Sequence, residues 1–227
     1  MDKKLVFVVP DNCNGMKEQQ FLRYECKLSA RMITRLKREK DGILMDGKIL
    51  RTVDDVIAGK IIEINPPDES SLIEPIKGNL DIAYEDDHFL IVNKPPLMPV
   101  HPVKQHQTDT LANIVSFYMN NKGESYVFRA INRLDRDTSG LVIIAKSRYV
   151  ANVMKGKIEK TYYALCHGKI EDDGTVDAPI GLTNDSKMVR YIIPDGQPAV
   201  THYYLVESSE EYSFIKLRLE TGRTHQI

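Results

Sequence analysis

From Arg133 to Leu141 the chain reads Arg-Leu-Asp-Arg-Asp-Thr-Ser-Gly-Leu. Two carboxylates, Asp135 and Asp137, alternate with two guanidinium groups, and a Thr-Ser-Gly turn leads into the apolar run Leu141 to Ala145. A short run rich in Val and Ile reads as a buried strand, so the charged segment is a loop feeding a core strand. Loops held by a rigid strand often carry catalytic groups. A carboxylate is already ionised at neutral pH and is a competent covalent nucleophile, so Asp135 or Asp137 could serve. The same residues also suit a surface turn with a neighbouring ion pair, and spacing alone leaves both readings open. His101, His106 and His225 are irregularly spaced, with no carboxylate–histidine pattern, so no metal site is expected. No nucleophilic Ser elbow or His-bearing triad supports a hydrolase.

The elements that must position this loop follow from periodicity. Residues 5–9 read as a strand stopped by Pro10. Ser29 is a candidate N-cap for a helix over about 30–39, with Leu28, Met32, Ile33 and Leu36 as its buried stripe. Arg31, Arg35 and Arg38 fall at i, i+4 and i+7, roughly opposite Ile33, as one cationic strip. Between residues 17 and 51 there are ten Lys and Arg against five acids, within a chain of net charge −1. Local rather than overall basic charge is what an RNA partner requires. Ile43 to Ile64 reads as short strands around an Asp46-Gly47 turn.

The stretch from Asn65 to Ser71 is polar with a Pro-Pro pair and reads as a linker. The expected boundaries are a module at 1–64, a linker at 65–75 and a larger domain at 76–227. In that domain strands are predicted at 80–84, 88–94, 140–146, 161–168, 199–207 and 212–220. Helices are predicted at about 109–121, after Thr108, and at 148–158. Strands outnumber helices, which predicts an α+β fold with a mainly antiparallel sheet. No apolar stretch is long enough to cross a bilayer, and Met1 to Leu5 opens no signal peptide. Cys13, Cys26 and Cys166 are scattered, which fits a reducing cytoplasm.

The Arg133–Leu141 segment closely resembles the catalytic motif of the RluA/RluD family of RNA pseudouridine synthases. Further segments resemble that family in the same order: Tyr84 to Pro96, Val100-His101-Pro102, Lys160 to Ala164, Asp177 to Gly181, and Leu219 to Ile227. Together they span residues 80–227, and several ordered motifs are more specific than any one alone. Asn132 departs from the pattern, because the family usually has His there. Residues 1–64 resemble, more loosely, the small αL-type RNA-binding module shared with a ribosomal small-subunit protein.

The resemblance implies a mixed, mainly antiparallel catalytic sheet crossed by a cleft, and isomerisation of uridine to pseudouridine without cofactor or metal. It implies Asp135 as nucleophile, Arg223 as its paired cation, and Tyr162 as the active-site tyrosine. Arg133 is implied to fill the stack that the target base leaves. The expected partner is ribosomal or transfer RNA, the expected location the cytoplasm and the expected state a monomer. The alternative is a catalytically silent RNA-binding protein on the same fold. Lys94, before Pro95-Pro96, is read as a stiff structural lip. The resemblance also implies a further Arg and further strands beyond Ile227. A 227-residue form, with Arg223 four residues from its end, is therefore expected to be inactive, or nearly so, beside a longer form.

Overall fold

The structure, a computed structural model, describes residues 4–51, 53–67, 71–123, 126–183 and 189–227. It forms two compact units, Met1–Lys157 and Ile158–Ile227. Part of the linker expected at 65–75, residues 68–70, lies outside the described residues.

The first unit opens with a four-stranded antiparallel sheet of order β1-β4-β2-β3, built from Leu5–Val8 (β1), Ile43–Met45 (β2), Lys48–Ile49 (β3) and Ile61–Ile64 (β4). Asp46 and Gly47 turn the β2–β3 hairpin with φ of 48° and 76°, the left-handed pair that Asp-Gly adopts most readily. Helical residues Glu18–Gln20 (α1) run into a π-helical turn at Phe21–Glu25, and Ala30–Leu36 forms α2. Ser29 caps α2 as predicted, its hydroxyl oxygen accepting from the Met32 N–H at 3.2 Å. The stripe of Leu28, Met32, Ile33 and Leu36 is buried in one core with Phe21, Leu22, Ile62 and Ile64. The helix ends at Leu36 rather than near residue 39. The chain returns so closely past its last turn that a Cβ on Gly42 would lie 2.0 Å from the Leu36 carbonyl oxygen.

The same unit holds the antiparallel sheet β5-β6-β7: Ile82–Glu85 (β5), Phe89–Lys94 (β6) and Gly140–Ala145 (β7). β6 and β7 pair along their whole length, from Phe89 opposite Ala145 to Lys94 opposite Gly140. Leu111–Asn121 (α3) buries Leu111, Ala112, Val115 and Met119. Its cap is Thr110, two residues later than predicted, because the Asn113 side chain accepts from the Thr110 N–H at 3.1 Å. Asn113 also donates to the carbonyls of Glu74 and Gln107. Arg148–Met154 (α4) is shorter than predicted, since the backbone turns extended at Lys155. Its Asn152 donates to the Lys27 carbonyl at 2.7 Å, and Tyr149 meets Phe7 edge-on at 6.1 Å. Those contacts join α4 to the first sheet.

The second unit is an antiparallel sheet of order β8-β13-β12-β9, from Thr161–His167 (β8), Gly174–Asp177 (β9), Val200–Ser208 (β12) and Tyr212–Leu219 (β13). A small hairpin of Ile180–Gly181 (β10) and Tyr191–Ile192 (β11) accompanies it. β9, β10 and β11 were not legible in the sequence; they are short and carry no apolar alternation. The whole is α+β, and the named strand pairings between described residues are antiparallel. Among the described residues no helix is long and apolar enough to cross a membrane.

Glu18 is an exception to the apolar core of the first sheet. It is fully buried, and neither carboxyl oxygen has a hydrogen-bond partner among the described residues. Burial raises its pKa from 4.5 to about 7, with Lys37 opposing and Asp54 adding to the shift. A carboxyl whose folded pKa lies above its unfolded value binds its proton more tightly when folded. The associated stability is full below the unfolded pKa of 4.5 and is lost as pH rises through about 7. A shift of this size corresponds to about 3 kcal/mol. Urea unfolding followed by amide exchange at Leu22 should therefore show the module weakening between about pH 5 and pH 8. Glu18→Leu should raise stability at the upper pH and flatten the profile.

Candidate active site

The loop between β7 and the chain before it alternates by burial. Leu134 is buried, Asp135 half-buried, and Arg133, Arg136 and Asp137 exposed. An apolar side chain flanked by charged ones forces this arrangement: Leu134 enters the core and turns its neighbours outward. The Thr138 N–H donates to the Asp135 carbonyl at 3.2 Å and closes the turn. Gly140 then starts β7 with φ of 130°, a conformation that favours glycine. Asp137 forms an exposed ion pair with Arg136 at 3.1 Å. The two carboxylates thus sit in different surroundings, one half-buried and one at the surface.

The backbone of this loop rests on a buried cation. Lys94, at the end of β6, is fully buried. Its ammonium donates to the carbonyls of Pro95 and Met98, each at 2.8 Å, and to that of Arg136 at 3.1 Å. An ammonium has three donors, and all three are used. The need for such a group is local. Pro95 and Pro96 remove two N–H groups from the turn, and Leu97 takes a left-handed φ of 63°, so regular ladder bonds cannot satisfy these carbonyls. The Met98 N–H also donates to the Arg136 carbonyl, at 3.1 Å. Burial pushes the Lys94 pKa down, while Asp137 and then Asp135 oppose that shift. Lys94 is therefore more than the stiff lip read from the sequence. His101 packs edge-on against Phe128 at 5.0 Å; burial, then Arg133, push its pKa down, leaving a neutral imidazole at neutral pH.

Arg31 is exposed and Arg35 half-buried on α2. Arg38 lies past the end of that helix, in a turn where its N–H donates to the Arg35 carbonyl at 2.9 Å. The expected three-residue helical strip is thus two residues on the helix and one beyond it. Lys37, Arg38, Lys40 and Arg51 instead share the wall of a groove of about 610 Å³, over buried Leu36, Ile43 and Leu50. Sequence reasoning missed Lys40 and Arg51 because the hairpin, not a helical period, brings them to this groove.

In the second unit Tyr162, Ala164 and Cys166 are half-buried on one face of β8, and Tyr163, Leu165 and His167 are exposed on the other. Tyr163 stacks on Phe214 at 5.5 Å, while Tyr162 lies opposite Leu217 of β13. Arg223 follows β13 in a turn organised by Gln226. The Gln226 carbonyl oxygen accepts from the Arg223 N–H at 2.9 Å and from the Thr221 hydroxyl at 3.0 Å. Its amide nitrogen donates to the Val200 carbonyl and the Thr201 hydroxyl. The Arg223 guanidinium donates from Nε to the Pro198 carbonyl at 3.0 Å. Arg223 and Arg190 line a cleft of about 380 Å³ together with Asp195. Arg190 had no periodic or motif signal in the sequence. The first unit therefore carries Arg31, Arg35, Arg38, Arg133 and Asp135, and the second carries Tyr162 and Arg223.

The antiparallel α+β scaffold and the Arg-Leu-Asp loop are those of an RNA-modifying family. Residues 88–227 match the model of the RNA pseudouridylate synthase family, and the chain belongs to that family. It is 35% identical over 213 residues to the uncharacterized RNA pseudouridine synthase YjbO of Bacillus subtilis (strain 168), covering 89% of this chain and 75% of that protein. It is also 35% identical over 192 residues to the ribosomal large subunit pseudouridine synthase D of Escherichia coli (strain K12), covering 82% and 59%. Among solved structures, human RNA pseudouridylate synthase domain containing 1 matches with a TM-score of 0.54 at 25% identity, over 70% of this chain and 64% of that one. The chain spans 55% to 75% of the length of the first curated relatives it matches.

The three bonds of Lys94 make its removal costly. Lys94→Met keeps the side-chain length but removes the ammonium donor from three carbonyls, of which that of Arg136 keeps its bond from the Met98 N–H. Denaturation in urea should show a loss of about 3 kcal/mol, from the desolvation of unpaired groups. Lys94→Arg should not restore it, because a planar guanidinium cannot replace three converging ammonium donors.

Proposed function

We propose that the protein isomerises specific uridines in structured RNA to pseudouridine, with ribosomal RNA favoured over transfer RNA. The observation that carries this reading is the half-buried Asp135, on a loop whose backbone is pinned by the buried ammonium of Lys94, within the family-matched residues. The name of the Escherichia coli relative, a ribosomal large subunit enzyme, supports the choice of RNA. In the reaction the bond from C1′ to N1 breaks and one from C1′ to C5 forms. The C5 proton departs and N1 gains a proton, so the base keeps its formula. The chemistry requires no redox partner and no net water.

Asp135 is the nucleophile in this reading, with attack at C1′ or C6 equally compatible with its place on the loop. Arg223 supplies a permanent charge that can hold a carboxylate in two-pronged geometry. Tyr162 offers a ring for stacking on uracil or a hydroxyl for the C5 proton. The target base must leave its stack to react, and the exposed Arg133 can fill the vacancy or clamp a phosphate. Residues 1–64 act as an RNA-binding module through Arg31, Arg35, Arg38 and the cationic groove, and 76–227 as the catalytic domain. The protein acts as a cytoplasmic monomer, in keeping with the free thiols of Cys13, Cys26 and Cys166.

Pseudouridine mapping across total RNA, with and without the gene, identifies the target. On that RNA, Asp135→Asn should abolish product while leaving the melting temperature and RNA affinity unchanged, and Asp137→Asn should retain activity. Full activity in Asp135→Asn would refute the nucleophile assignment. Reversal of Arg31, Arg35 and Arg38 to Glu should weaken RNA binding and flatten the slope of log affinity against log salt by roughly one unit per lost phosphate contact. An unchanged slope would remove the module from RNA recognition.

A further inference from the structure

Asn132 precedes the Arg-Leu-Asp loop and is 8% exposed. The chain reaches it as a short segment bridged to β7. Ala130 bridges Ile144, the Ala145 N–H donates to the Arg129 carbonyl, and the Ile131 N–H donates to the Ile143 carbonyl, the last two at 2.8 Å. A continuing antiparallel ladder would pair the Ile143 N–H with the Ile131 carbonyl, and the Leu141 carbonyl with the Arg133 N–H. Neither backbone pairing is made. The Ile143 N–H donates to Asn132 Oδ1 at 2.8 Å, and Asn132 Nδ2 donates to the Leu141 carbonyl at 2.9 Å. The side-chain amide thus takes the place of two backbone groups. The main chain is released from the sheet, Leu134 turns inward, and Arg133 and Asp135 emerge on a loop whose neck is closed between residues 132 and 141.

We propose that Asn132 is a positioning residue for Asp135: its amide closes the neck of the reactive loop and holds it there independently of pH. The proposal rests on the reading of Asp135 as the reactive carboxylate. The chemistry of the clasp is restrictive. It needs one donor and one acceptor on a short side chain. An amide offers both at every pH. A neutral imidazole offers both in one tautomer, but imidazolium has two donors and cannot accept from the Ile143 N–H. An ionised Asp can accept but cannot donate to the Leu141 carbonyl. A Leu can do neither.

The test compares Asn132→Asp, Asn132→His and Asn132→Leu with the parent protein. Single-turnover pseudouridine formation is followed on ribosomal RNA from cells lacking the gene, between about pH 5 and pH 8.5. Melting temperatures and exchange of the Ile143 and Ala145 amides are measured alongside. In Asn132→Asp the rate at the upper pH should fall about 100-fold, the scale of a misplacement of about 1 Å, with KM within about twofold of the parent. The ratio to the parent should recover as pH falls and the carboxyl regains a proton to donate. In Asn132→His the ratio should be near one at the upper pH and fall below about pH 6.5, where imidazole charges. Ratios that stay flat with pH, or losses that appear only in KM or follow the unfolded fraction, would overturn the positioning role. The exchange arm does not depend on activity. Asn132→Leu should lose protection at Ile143 and keep it at Ala145, and retained protection at Ile143 would overturn the clasp itself. A lost Ile143 protection combined with full activity in Asp135→Asn would instead convict the functional reading.

Discussion

The geometry of the Arg133–Ser139 loop depends on a lysine that meets no solvent. Lys94 donates to three backbone oxygens, those of Pro95, Met98 and Arg136. A charge in such a place is costly unless every donor is met, and here the count of donors equals the count of acceptors. The arrangement couples two stretches 42 residues apart in sequence. The Pro-Pro turn creates carbonyls that no ladder can satisfy. The lysine satisfies them and, with its third donor, reaches across to the loop that bears both carboxylates. Loss of the turn would leave the ammonium without acceptors, and loss of the ammonium would release the loop.

A second anchor works on the opposite side of the same loop and by a different means. Asn132 is neutral and acts by imitating the peptide groups it replaces, whereas Lys94 acts by charge and number of donors. Leu134 adds an apolar pin between them. All three act on backbone atoms or on the core, so the exposed side chains at 133, 136 and 137 are spared any structural task. A loop that must present several charged groups to a polyanion benefits from this separation. Its anchors are indifferent to the ionic strength that would screen a surface ion pair such as that of Arg136 with Asp137.

The elements with strong periodicity were legible in the sequence. β6, β7, β8, β12 and β13 lie within a residue or two of where their apolar patterns predict, and Ser29 caps its helix because a short hydroxyl before an apolar stripe has one good use. The failures have physical reasons. The cap of α3 moved from Thr108 to Thr110 because Asn113, rather than the first available hydroxyl, decides which N–H is satisfied. α2 ended early because the return of the chain at Gly42 passes within contact of its last carbonyl, which left Arg38 off the helix. β9, β10 and β11 are held by neighbours distant in sequence and leave no local pattern. Of the site, Asp135, Tyr162 and Arg223 were reached through resemblance, not periodicity. Lys94 and Asn132 were seen but undervalued, since a buried lysine or asparagine is recognisable only once its acceptors are in place.

Charge distribution follows the same logic of local need. The chain carries a net charge of −1, so no general attraction draws it to RNA. The cations gather instead at Lys37, Arg38, Lys40 and Arg51 around an apolar floor, and again where Arg190 and Arg223 line one cleft. Within the first unit, Glu85 takes hydrogen bonds from Tyr118, Lys122 and Lys146 and ties α3 to the sheet that carries the loop. Burial raises its pKa, but those bonds outweigh burial and bring it to about 2, so this carboxylate stays ionised at neutral pH. Cations consumed by such structural pairs cannot also serve phosphate. In both grooves the cations outnumber the acids, with Glu39 alone beside Lys37, Arg38, Lys40 and Arg51 and Asp195 alone beside Arg190 and Arg223, so each keeps a local positive excess that a polyanion can neutralise.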